Sequence, residues 1–205
     1  TSASTAVTDG GTFANDTSVG TVAWSNPSNA QTSNDVRATA VLAVDEVTNY
    51  LKVTNLGLAI PNDSTVTGIK VEIEKSATVA NSVDDSSIVI VKSNGTLGAT
   101  DLATTTNWPT TDAYTTYGSG ANLLWGETWL PSDINDADFG VAISAYNTSL
   151  ASTTARIDHV RITVYYTTGV AGTRGGFWPM YGGDSPEVDL GGAGLTGTVT
   201  GATTS

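Results

Sequence analysis

The stretch Val66-Thr67-Gly68-Ile69-Lys70-Val71-Glu72-Ile73-Glu74-Lys75 decides the fold class. Ile69, Val71 and Ile73 fall on one side of an extended chain and Lys70, Glu72 and Glu74 on the other, so this segment reads as a strand with one dry face and one wet face. The same period of two recurs outward from it. Val36 to Val44 alternates, Tyr50 to Ile60 is extended and closed by the turn Pro61-Asn62-Asp63-Ser64, and Ser87 to Lys92 carries the continuous apolar run Ile88-Val89-Ile90-Val91 of a strand buried on both faces. Ser93-Asn94-Gly95-Thr96 turns that run back as a hairpin. Phe139 to Tyr146 and Arg156 to Thr167 complete the core strands, with Val160, Ile162, Val164 and Tyr166 opposite His159, Arg161, Thr163 and Tyr165. Ile69, Val71, Ile73, Ile88, Ile90, Val160, Ile162 and Val164 are the expected core.

Shorter extended pieces lie around Val19 to Trp24 and Leu97 to Ala103. Pro131 to Gly140 invites one helical turn, with Ser132 as N-cap, acids at the positive end and Gly140 as the stop. With eight or so strands and no α-crossovers, the expected fold is an all-β jelly-roll or Greek-key sandwich with an extended N-terminal segment and a Gly-rich C-terminal arm. The divisions are residues 1–11 as the N-terminal arm, 12–168 as the sandwich and 169–205 as the arm at the other end. Half of the 22 glycines fall after Thr168. Within that region Phe177, Trp178, Met180 and Tyr181 lie between glycine pairs, and Leu195 to Thr200, which includes Val199, alternates as a small strand. An aromatic cluster flanked by swivel points reads as a plug for a neighbouring subunit, and a short strand as an addition to an exposed sheet edge. Thr1 to Thr8 is expected to reach a neighbour in the same way.

Composition narrows the function. The 205 residues include no Cys, one His, and 20 acidic against 8 basic residues, for a net charge of -12. No thiolate chemistry or disulfide is available, and no basic stripe exists to neutralise phosphates, so nucleic acid is a poor partner. No run approaches the length of a membrane span, and the chain opens at Thr1 with no visible signal peptide.

His159 beside Asp158 lacks a nucleophile elbow and reads as a structural strand pair. Asp133, Asn135, Asp136 and Asp138 have the oxygen chemistry of a weak Ca²⁺ candidate, but Asp138 stands where an EF-hand loop needs Gly, and helix capping is the plainer reading. Asp84-Asp85 reads as a solvated acidic loop. Glu72, Glu74 and Glu127, the last near Trp125 and Trp129, are the carboxylates a glycosidase would need, without a defined separation. Trp108, Tyr114, Tyr117, Trp125 and Trp129 are concentrated in a loop-rich stretch, where they would either stack on the sugar rings of a cell-surface glycan or anchor the core. Asn15, Asn62, Asn94 and Asn147 each open an Asn-x-Ser/Thr sequon of the kind that arises by chance in a Thr/Ser/Asn-rich chain. No catalytic residue, cofactor or transition-metal site is expected.

The stretches Trp24-Ser25-Asn26-Pro27-Ser28-Asn29-Ala30, Asn49-Tyr50-Leu51, Gly57-Leu58-Ala59-Ile60-Pro61, Gly68 to Ile73, Leu124-Trp125-Gly126-Glu127-Thr128-Trp129 and Ile157 to Tyr166 resemble a β-sandwich domain that recurs in bacteriophage virion proteins and microbial surface proteins. The resemblance covers roughly residues 20 to 167. It implies a module in an extracellular or virion assembly and carries over no catalytic residue. The leading expectation is a non-enzymatic structural subunit of a virion, as capsid decoration or tail component, whose partners are copies of itself or other virion or surface proteins. An extracellular filament subunit using strand complementation and a carbohydrate- or receptor-binding module are the alternatives.

Overall fold

The computed structural model describes residues 11–119 and 123–168 in full, and the backbone of residues 2–6, 187–188 and 196–197. The chain divides into two units, Thr1–Thr168 and Gly169–Ser205. In the second, the two-residue strands β11 (Glu187–Val188) and β12 (Thr196–Gly197) pair antiparallel.

The first unit is a β-sandwich. One sheet is built on the longest strand, β10 (Thr153–Thr168). One side of β10 pairs with β5 (Ser64–Ala77), and β8 (Ala113–Tyr117) lies beyond β5. β10 also pairs with two short strands, β3 (Ala38–Leu42) along Thr153–Ile157 and β1 (Ser2–Ala6) along Thr163–Thr167. The second sheet runs β2 (Thr12–Asp16), β4 (Tyr50–Thr54), β9 (Gly140–Asn147), β6 (Val83–Val91), β7 (Leu97–Asp101). Every strand ladder in the two sheets is antiparallel.

Burial follows the side-chain period. All eight expected core residues are buried, together with Leu51, Val53, Val141 and Ile143 from the facing sheet. Bulges in β10 and in β6 reset the period. In β10, Ile157 is registered with Lys75 and His159 with Glu74, leaving Asp158 as an extra residue. Ala155 and Ile157 face the core before the bulge, and Val160, Ile162 and Val164 after it. In β6, Asp85 opposes Ala145 and Ser87 opposes Ser144, so Ser86 is extra; Val83 faces the core before it and Ile88 and Ile90 after it. The opposite face of β6 is also dry, because Val89 and Val91 pack with Tyr50 and Ala142 in a second cluster. This is the doubly buried strand expected from its continuous apolar run.

Several expectations change in detail. Regular pairing of the Tyr50 to Ile60 segment stops at Thr54, where Asn55 and Gly57 take positive φ. Leu56, Leu58 and Ile60 continue to dip into the core beyond the end of the strand. Val19 to Trp24 forms no strand and contributes a single bridge, Val22 to Thr48. The helical turn is only α1 (Pro131–Ile134), and its N-cap is Leu130, not Ser132. Pro131 occupies the first helical position, which moves the cap two residues earlier, and the Asp133 carboxylate accepts the Leu130 N–H at 2.9 Å. Gly140 does not stop that helix; it opens β9. A Cβ there would stand 1.8 Å from the Val53 carbonyl oxygen, so only glycine lets β4 and β9 approach.

Candidate functional site

Along β5, Lys75 follows Ile69, Val71 and Ile73 at even steps, so it shares their inward parity and its side chain enters the core at 2% exposure. Asp85 meets Lys75 from the other sheet, on the core side of β6 ahead of its bulge. Lys75 Nζ donates to Asp85 Oδ1 at 2.5 Å and also contacts Tyr117 Oη at the end of β8. The remaining lone pairs of Asp85 are filled by protein donors. Trp108 Nε1 donates to Oδ1 at 2.8 Å, Tyr117 Oη donates to Oδ2 at 2.8 Å, and the backbone N–H and hydroxyl of Thr104 each donate to Oδ2 at 3.1 Å. The ammonium also lies 4.8 Å from the centre of the Trp108 ring and 5.1 Å from that of Tyr117. Burial pushes Lys75 below the usual amine range against the pull of Asp85, and burial together with the Asp85 charge pushes the Tyr117 phenol up. Asp84 is raised by burial and by Asp85 beside it. The expectation of a solvated acidic loop at Asp84-Asp85 is therefore wrong: both residues are buried, because they belong to β6.

A second polar cluster occupies the outer face of the β10–β5–β8 sheet. Arg161 grips Glu72 with two bonds, Nε to Oε2 at 3.0 Å and Nη2 to Oε1 at 3.1 Å, and its guanidinium lies 4.2 Å from the centre of the Tyr114 ring. Tyr114 Oη meets His159 Nδ1 at 2.8 Å. Alongside, Asp158 Oδ2 accepts the N–H groups of Asn34 and Asp35 at 3.1 and 3.2 Å, and Arg37 pairs with both Asp35 and Asp112. Asp112 also accepts the Ser76 hydroxyl at 2.6 Å. Oxygens of Asp35, Asp112 and Asp158 lie within 4.8 Å of one another, a spacing hard cations use. Here the Arg37 guanidinium supplies the positive charge to two of the three, and the cluster fastens the segment around Asn34 and Asp35 to the sheet.

The residues singled out from sequence are mostly structural. Trp108, Tyr117, Trp125 and Trp129 are buried, so their ring faces are core anchors and not a sugar platform; Tyr114, 38% exposed, is committed to Arg161 and His159. Trp129 does line a shallow polar pocket with Lys92, Asn94, Glu127 and Asp133. The Ca²⁺ candidates do not converge. Asp133 caps α1 and accepts from Ser93, Asn135 brackets the backbone of Ile60, and Asp136 accepts the Asp138 N–H. Glu72 is held by Arg161 and Lys70, and Glu127 lies 3.7 Å from Lys92. Of the sequons, Asn147 is fully buried, with its amide donating to the carbonyls of Leu42, Ala43 and Ala151. Phe177, Trp178, Met180, Tyr181, Leu195 and Val199 lie outside the described residues. Sequence reasoning misses the Lys75–Asp85 pair, although the parity of Lys75 with Ile69, Val71 and Ile73 is its signal.

No family model matches the chain, and no curated protein or solved structure matches it either.

Proposed function

We propose that this chain is a non-enzymatic structural subunit whose sandwich body is held in an assembly by its terminal segments, as a capsid decoration or tail component of a virion. The observation that carries this reading is the register of β1 on β10, in which Ser2 lies opposite Thr167. β1, expected as an arm, therefore pairs within the chain's own sheet, and it starts beside the end of β10, where the chain passes into the Gly-rich region. The aromatic cluster among the glycines supplies a plug of the size that anchors interfaces.

Strand complementation within an extracellular filament is a second reading, favoured by one feature: β1 is a five-residue strand on β10, a place another chain's strand can fill. The burial of Trp108, Tyr117, Trp125 and Trp129 weighs against a glycan platform. The test is deletion of everything after Thr168. The truncated chain is expected to be a folded monomer by light scattering while the full chain forms particles in electron micrographs. Assembly by the truncated chain equal to that of the full chain would contradict the proposal.

A further inference from the structure

We propose that Lys75 and Asp85 condense to an intramolecular amide that ties the two sheets together through the core. This inference stands apart from the assembly reading. The reacting groups touch, with Nζ 2.5 Å from Oδ1 and side chains 2% and 0% exposed. They come from different sheets, β5 and β6, so the new bond would cross the sandwich. Holding the ammonium away from water is costly, and burial keeps the Lys75 amine below its usual range, which favours release of a proton through Tyr117 towards Oδ2. The unprotonated amine is a nucleophile, and its fixed position beside the carboxyl replaces a bimolecular encounter.

The surrounding donors are placed for this chemistry. Nζ attacks Cγ, the Nζ–Cγ bond forms, and charge develops on Oδ1, which Trp108 Nε1–H already serves. Tyr117 Oη touches both the attacking nitrogen and Oδ2, so it can accept a proton from Nζ while passing its own to Oδ2. The ammonium gives up two protons in all, both ending on Oδ2. The Cγ–Oδ2 bond breaks, one water leaves, and no electron donor or acceptor is required.

Intact-mass spectrometry of the full chain under denaturing conditions tests this directly. The expected mass is lower than that of the sequence by one water, about 18 Da, and proteolysis is expected to yield one branched peptide joining the segments that hold Lys75 and Asp85. A full sequence mass after prolonged incubation of the folded protein, or a water loss mapped elsewhere, would overturn the proposal. Lys75→Met is expected to restore the full mass whether or not it folds. Tyr117→Phe is expected to slow conversion, so that full-mass chain accumulates; unchanged conversion in that variant would overturn the relay assigned to Tyr117.

Discussion

Ile162 shows what one side chain contributes to this sandwich. It is fully buried between the sheets, so Ile162→Ala removes apolar contact and leaves a cavity, at an expected cost of about 2 to 5 kcal/mol in denaturant unfolding. A loss under about 0.5 kcal/mol would mean the side chain does not face the core. Its orientation is legible in the sequence because the alternation from Val160 to Val164 is unbroken. Asp158, a few residues earlier, is not legible: a bulge depends on what the neighbouring strand offers, and the residues that engage its carboxylate, Asn34 and Asp35, are far away in sequence. Lys75 falls between these cases, since its parity is plain but its partner on another strand is not.

At the scale of elements, two contacts can be tested separately. In α1, Asp133 caps the Leu130 N–H, and Asp133→Ala is expected to cost about 1 kcal/mol in thermal unfolding. Because Asp133, Asn135 and Asp136 serve protein partners, a Ca²⁺ chelator is expected to leave the melting temperature unchanged. The segment around Asn34 and Asp35 is fastened through carboxylates of opposite tendency. Burial acts to raise the Asp112 carboxyl, but bonds from Arg37 and Ser76 outweigh it and hold the group below the usual carboxylate range. Its stabilisation is therefore present above the ordinary value of about 4 and lost as pH falls through the depressed folded value. Asp158 is raised, first by burial, so its contribution is present below that ordinary value and lost as pH rises through the folded one. Asp112→Asn is expected to flatten the acid limb of a melting-temperature profile, and Asp158→Asn to raise the melting temperature at neutral pH. The strands β2 and β8 escape a reading of the sequence for a physical reason. Their inward and outward residues differ little in hydropathy, and pairing with β4 and β5 holds them extended.

For the whole molecule, the two five-stranded sheets and the core between them lie within residues 1–168. A chain ending at Thr168 is accordingly expected to melt within a few degrees of the full chain, and a large drop in melting temperature would show that the Gly-rich region supports the fold. The sandwich class is legible because alternation and turn residues recur along the whole body, whereas which strands neighbour one another depends on long-range pairing that no local pattern encodes. The placement of Ser2 beside Thr167 also has a mechanical consequence. Tension applied between the two ends of the body would pull across the β1–β10 ladder, opening its hydrogen bonds one after another like a zipper. A body tethered by both ends at the same pole avoids that load, because the two tethers then pull in the same direction.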